Sequence, residues 1–153
     1  MANTQAMTTS FKVDLFNAVH AFNATGIPAH TVSTADTFKA ALYVTTATVN
    51  ATTTAYSATN EVSGTGYTAG GVTVTFGTAP NSSGTTSFLT PSASITYTTV
   101  TLSTSFDAML LYNSTQSNKA VAVYTFTAQT VAAGTFSLTM PTNDATTGLL
   151  RIA

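Results

Sequence analysis

Cysteine is absent from this 153-residue chain, which removes disulfide frameworks, thiolate zinc sites and cysteine nucleophiles at one stroke. Charge is nearly absent too: charged residues make up 6% of the chain and the formal net charge is −1, against about 25% charged residues in ordinary globular domains. The basic residues are Lys12, Lys39, Lys119 and Arg151. Four scattered cations cannot neutralise a row of phosphates, so a nucleic-acid partner is excluded, and a basic membrane-surface patch fails for the same reason. The first residues, Met1 to Met7, have neither a basic n-region nor an apolar h-region. No apolar run approaches the ~18 residues of a membrane span. The expectation is a soluble protein made inside the cell, with no membrane contact.

Threonine takes the place of charge, at about a quarter of the chain, joined by Ser, Asn and Ala. That mixture favours strands and turns over helices. A domain of this length buries roughly 70% of the surface its unfolded chain exposes, so a real core is available. Neither a repeat, a charge block nor a linker divides the chain, which reads as one β domain over 1–153, preceded by a short N-terminal arm at about 1–9.

One helix is expected, at about 11–23. Phe11, Leu15, Phe16, Val19 and Phe22 recur at helical spacing, Ser10 stands where an N-cap belongs, Asp14 falls in the first turn, and Gly26 and Pro28 stop the helix. From Thr37 to Thr45, Phe38, Ala40, Leu42 and Val44 alternate with Lys39, Ala41 and Tyr43, the pattern of a half-buried strand. Ala47 to Ala58 is weakly patterned and reads as an exposed loop or short edge strand. Further on, strand-like runs follow one another with Gly, Pro, Asn and Ser between them. They centre on Val72-Val74-Phe76, Phe88, Ile95-Leu102, Phe106-Tyr112, Ala120-Phe126, Phe136-Met140 and Leu150-Ile152. Ile95 and Tyr97 share one parity and Val100 and Leu102 the other, so a bulge near Thr98-Thr99 is needed to turn all four inward. The near-continuous apolar runs around Asn113-Asn118 predict a central hairpin. The fold class is therefore all-β, a β-sandwich or jelly-roll-like domain of about eight strands with one short N-terminal helix. Its expected core includes Phe38, Leu42, Val74, Phe76, Leu110, Val121, Val123, Phe136 and Leu138.

Catalysis by acid and base requires two titratable groups converging in one pocket. The carboxylates Asp14, Asp36, Glu61, Asp107 and Asp144 and the histidines His20 and His30 have no spacing that forces convergence. Asp14 and Asp107 read as helix-turn or strand-end residues, Asp144 as a turn residue, and His20 as a histidine late in the helix, where it suits the negative end of the dipole. No H-x-x-x-H, H-E-x-x-H or D-x-D-x-D spacing supports a metal. Gly64 to Gly71 has neither nucleotide-loop spacing nor a following helix, and reads as a turn that needs positive φ. No serine stands in G-x-S-x-G. The sequence therefore predicts no enzyme, no catalytic, cofactor-binding or metal residue, and no cofactor.

The segments Phe11-Lys12-Val13-Asp14-Leu15, Asp36-Thr37-Phe38-Lys39-Ala40-Ala41-Leu42-Tyr43, Glu61 through Gly71, and Lys119-Ala120-Val121-Ala122-Val123 resemble small virion proteins of tailed double-stranded-DNA bacteriophages. The resemblance runs from about Ser10 to the C-terminal Leu149-Leu150-Arg151-Ile152-Ala153 and carries no catalytic fingerprint. It implies a capsid decoration or cement protein, made in the host cytoplasm and bound in many copies to the head exterior. The implied partners are the major capsid protein and copies of itself, as a homotrimer. The alternative is a tail-fibre or other appendage domain binding host-surface carbohydrate, for which Tyr43, Tyr56 and Tyr67 are the candidate stacking platforms. Ala2 to Thr9 has too few apolar residues to order itself, so it is expected to rest on a neighbour, as an N-terminal segment in contact with the protein shell, or on the domain's own surface.

Overall fold

Residues 3–16, 19–22 and 35–153 are described by a computed structural model. The expectations for Gly26, Pro28 and His30 lie outside the described residues. Within them the chain is an all-β domain: eight strands in two antiparallel sheets, with one short helix. In chain order the elements are β1 (Ala6–Met7), α1 (Thr9–Phe16), β2 (Phe38–Val44), β3 (Val72–Val74), β4 (Asn81–Ser83), β5 (Thr86–Leu89), β6 (Ile95–Asn113), β7 (Lys119–Leu138) and β8 (Leu150–Ile152). The larger sheet has the order β1-β7-β6-β2-β3 and the smaller β4-β5-β8. No helix among these residues is long and apolar enough to cross a membrane.

Two very long strands dominate, β6 with 19 residues and β7 with 20. Each joins two runs that the turn-rich sequence presents as separate strands. The count still comes to eight because β1 and β4, short and weakly patterned, add two. Between Tyr97 and Ala108 the β6–β7 register slips four times, and Thr99 (φ 54°) and Ala133 (φ 48°) take the left-handed conformation. Each slip adds bend and twist. Phe126 and Phe136 of β7, which a straight strand would hold about 30 Å apart, have ring centroids 5.3 Å from each other. The ribbon thus folds back over its own base, and Tyr97 donates a hydrogen bond to the Ala40 carbonyl of β2 across the core (2.8 Å). The expected bulge at Thr98-Thr99 is this feature, and Ile95, Tyr97, Val100 and Leu102 are all buried.

The main core lies between the folded ribbon, β2, β3 and the small sheet. It includes Phe38, Leu42, Val74, Phe76, Leu89, Met109, Val121 and Leu150, with Phe136 and Leu138 packed half-buried at its margin. A second cluster covers the opposite face of the large sheet: Ala41, Tyr43, Ala108, Leu110, Tyr112, Ala120 and Val123 under Ala47 and Val49. β2 is therefore buried on both faces, where the alternation predicted only one. The cover is the stretch 47–58, expected to be exposed. It is tied down by Thr4 N–H to Val49 C=O (3.0 Å), Thr9 N–H to Ala51 C=O (2.9 Å) and Ala120 N–H to Thr54 C=O (3.0 Å). Residues 3–8 rest on the domain itself, since β1 pairs with β7 at Ala6↔Val123 and Met7↔Ala122.

The helix differs most from expectation. It starts at Thr9, so the cap is Thr8, whose Oγ1 accepts the Phe11 N–H (3.3 Å), and Ser10 lies inside the first turn. Asp14 consequently falls in the second turn. The helix is described over Thr9–Phe16, and Val19 N–H turns back to the Asp14 carbonyl (3.1 Å). His20 and Phe22 are outside it, drawn off by aromatic packing: the Phe22 ring stacks on Phe38 at 4.4 Å and meets Phe76 edge-on at 5.0 Å. Such tertiary contacts outweigh the small gain from extending a short helix. Phe11 and Asp14 face inward, whereas Leu15 is 39% exposed.

Gly71 has φ +71°, and a Cβ there would collide with the Ala40 carbonyl of β2. Gly84 has φ +58° with open space around it. Gly71→Ala should cost about 3 kcal/mol or more, from strain plus displacement of a central strand. Gly84→Ala should cost only about 1 kcal/mol, the left-handed backbone penalty alone. Urea unfolding of both variants measures the difference, and equal losses would contradict the packing described at Gly71.

Candidate functional site

All five carboxylates of the chain serve as internal fasteners. Asp107, well inside β6 and not at a strand end, accepts from Asn3 Nδ2 (2.6 Å) and so pins the N-terminal residues. Asp144 closes its turn by accepting the Thr146 and Thr147 N–H groups (2.7 Å each), as expected of a turn residue, and those bonds hold its carboxyl below the usual range. Glu61, Asp14 and Asp36 organise two larger polar clusters.

Glu61 is the centre of a tyrosine cluster. Its Oε2 accepts from Tyr56 Oη (2.6 Å), and its Oε1 accepts from Tyr67 Oη (2.7 Å) and the Gly70 N–H (2.8 Å). Tyr67 Oη also accepts the Leu42 N–H of β2 (3.0 Å), and Tyr112 Oη donates to the Gly70 carbonyl (2.8 Å). The rings pair by stacking, Tyr56 on Tyr112 at 4.7 Å and Tyr67 on Tyr97 at 5.8 Å. Gly66, Gly70 and Gly71 supply the positive φ that the Gly64–Gly71 turn was expected to need. Burial raises every phenol in this group. Tyr43 and Tyr112 are pushed up to about 12, each raised further by the Glu61 charge. Tyr56, Tyr67 and Tyr97 are raised by burial and then by Glu61, as acceptor or as neighbouring charge.

Of the three tyrosines considered as sugar platforms, Tyr43 is buried and Tyr56 and Tyr67 are half-buried. Tyr43 is 2% exposed, and Tyr56 and Tyr67 each give one ring face to another tyrosine and the hydroxyl to Glu61.

The second cluster joins α1 to the β6–β7 turn. Lys119 Nζ reaches both oxygens of buried Asp14 (2.9 and 3.1 Å), and His20 Nε2 lies 3.5 Å from Asp14 Oδ2. Asn113, fully buried, places Nδ2 3.0 Å from His20 Nδ1 and donates from it to Asp36 Oδ2 (2.7 Å). Gln116 Nε2 donates to Asp36 Oδ1 (3.1 Å). Sequence spacing gave no sign that Asp14, His20, Asp36 and Lys119 converge; a lone buried Asn at a strand end beside a turn is the trace that was available. Among the described residues no three His, Asp or Glu side chains are arranged to hold a metal.

A cleft of about 460 Å³ lies beside β1, β7 and β8. Gln5, Thr86, Tyr124 and Arg151 are its polar lining residues. Tyr124 Oη is engaged by the Leu149 carbonyl and the Arg151 guanidinium by the carbonyls of Ala145 and Thr146. No Asp, Glu or His side chain lines this cleft among the described residues. Neither protein-family models nor curated proteins nor solved structures give a significant match to the chain.

Two outcomes test the Glu61 cluster. Glu61→Gln keeps the shape but removes the charge that three short donors share, and should lower stability by about 2 kcal/mol in urea unfolding. Phenols raised in the folded state leave the unfolded chain to ionise first, so stability is complete below the ordinary tyrosine value of about 10 and is lost as pH rises through it. An alkaline titration should show phenolate absorbance and loss of β circular dichroism rising together, whereas phenolates appearing without unfolding would contradict this burial.

Proposed function

We propose that this chain is a structural protein of a tailed-phage virion, most simply a head decoration or cement protein that coats the capsid in many copies as a homotrimer. The observation that carries this reading is the nature of its outer surface. No charged residue occurs between Glu61 and Asp107 or between Lys119 and Asp144. The outer part of the β6–β7 ribbon accordingly exposes Thr98, Thr101, Ser103, Thr104, Thr127, Gln129, Thr130, Thr135 and Ser137. Hydroxyls and amides of this kind can be buried against another protein without the desolvation penalty of charged side chains. A free protein gains little protection from self-association with so small a net charge, a weakness that matters less to one that lives assembled. The resembling segments support the same reading. They include the Glu61 turn and the start of β7, the parts that hold the ribbon in place. Residues 3–8 pair with the domain's own β7 and β6, and the hydroxyl-rich ribbon supports a docking face on the outer part of β6 and β7.

Adding purified protein to particles that lack it, followed by sedimentation, tests the assignment. Raising salt from about 0.1 M to 1 M shortens the Debye length from about 10 Å to about 3 Å, and attachment through an uncharged face should change little. Release by salt would overturn the uncharged interface. A mass-spectrometric count per virion at the level of a tail component, not of the capsid lattice, would overturn the decoration role.

A further inference from the structure

The tautomer of His20 is fixed by its neighbour. Asn113 Oδ1 accepts two backbone donors from the turn, the N–H groups of Thr115 and Gln116 (3.1 Å each), while Nδ2 donates to the Asp36 carboxylate (2.7 Å). Flipping the amide would break all three bonds, so its N–H₂ group faces His20 Nδ1 at 3.0 Å. That nitrogen is therefore an unprotonated acceptor, and the ring's single hydrogen sits on Nε2, which makes no hydrogen bond although Asp14 Oδ2 lies 3.5 Å away. The imidazole side chain has no exposed surface. It packs among the rings of Phe11 (5.0 Å), Phe22 (6.1 Å) and Phe38 (6.3 Å).

We propose that His20 is an acid-sensitive latch: a second proton on its ring can enter only at Nδ1, sets donor against donor at Asn113, and so releases residues 19–22 from the β6–β7 turn. The charged groups around the ring are Asp14 from α1, Asp36 from the approach to β2 and Lys119 from the start of β7. The two carboxylates favour the imidazolium, Lys119 opposes it, and burial is the largest influence, holding the ring below the ordinary histidine range. The unfolded chain therefore takes up its proton first as the solution is acidified. The latch's contribution is complete above the ordinary value of about 6.5 and is lost as pH falls through it. What opens is local. Ala21 and Asp36 are clasped by two reciprocal bonds, Ala21 N–H to Asp36 Oδ2 (2.9 Å) and Asp36 N–H to the Ala21 carbonyl (2.9 Å). Asp36 is in turn held by the same Asn113 amide that His20 would push away. The latch is independent of the virion assignment, since it follows from these contacts alone.

Amide hydrogen exchange on the full-length chain between about pH 8 and about pH 5, corrected for intrinsic rates, reads the clasp directly. Protection at Ala21 and Asp36 should fall at least about tenfold on acidification, while Leu110 and Val121 in the central strands stay protected. His20→Gln, neutral throughout, should show no such pH dependence. The histidine's own nitrogen resonances, followed in the wild-type protein, supply a readout that needs no variant: at neutral pH Nε2 should carry the proton, and Nδ1 should gain one as protection is lost. A proton on Nδ1 at neutral pH, or a flat wild-type exchange profile, would overturn the latch. Equal acid loss in His20→Gln would assign the effect to the carboxylates and overturn it equally.

Discussion

The pairing of β6 with β7 is the constraint on which everything else depends. The two strands form one antiparallel ladder, broken by register slips, from Ile95↔Leu138 to Asn113↔Lys119. A flat ribbon of that length would leave most of its apolar side chains in water. Register slips and two left-handed residues let it fold over, so that Phe106, Phe126 and Phe136 meet ring to ring. A single hairpin thereby contributes to both layers of the domain. β1, β2 and α1 then dock on it, and the small sheet closes the remaining side.

With few charges available, the chain uses them as internal ties. Glu61 gathers the tyrosines that hold the 55–71 stretch to β2, Asp107 anchors Asn3, and Asp14 with Asp36 binds α1 and the approach to β2 to the central turn. Each tie gives a carboxylate at least one donor, and Glu61, Asp14 and Asp36 accept two or more hydrogen bonds, which is what makes a partly buried charge tolerable. Charge-poor outer faces and charge-rich seams are thus two aspects of one distribution. The hydroxyl-rich surface left outside is what gives the assembly reading its physical basis.

Much of this was legible from the residues. Period-two alternation marked β2 and the strands that followed, and the parity change between Tyr97 and Val100 located the bulge because four apolar residues had to face one way. Both flanks of the Asn113–Asn118 turn were readable as central strands from their unbroken apolar character. The helix was misread because Phe22 satisfies helical spacing yet answers to Phe38 and Phe76, contacts that no local pattern encodes. β1 and β4 are pairings of two or three residues, too short for periodicity to register. The polar clusters were invisible for a related reason: His20 and Asn113 are 93 positions apart, and Asp36 and Asn113 are 77 apart. Glu61 was the most accessible of these, a solitary carboxylate flanked by Tyr56 and Tyr67 in an otherwise uncharged stretch.

The docking of the N-terminal residues on β7 bears on the order in which the molecule is made. Asn3 bonds to Asp107 across 104 positions, Asp14 to Lys119 across 105, and Thr8 to Ala120 across 112. Contacts of such long sequence separation form late, because the loops they close carry a large entropic cost until the intervening chain is in place. β1 and α1 leave the ribosome before their partners in β6 and β7, from which they are separated by 104 to 112 positions. They therefore find their native surroundings only after the intervening strands have been made, and the domain closes late relative to their own synthesis.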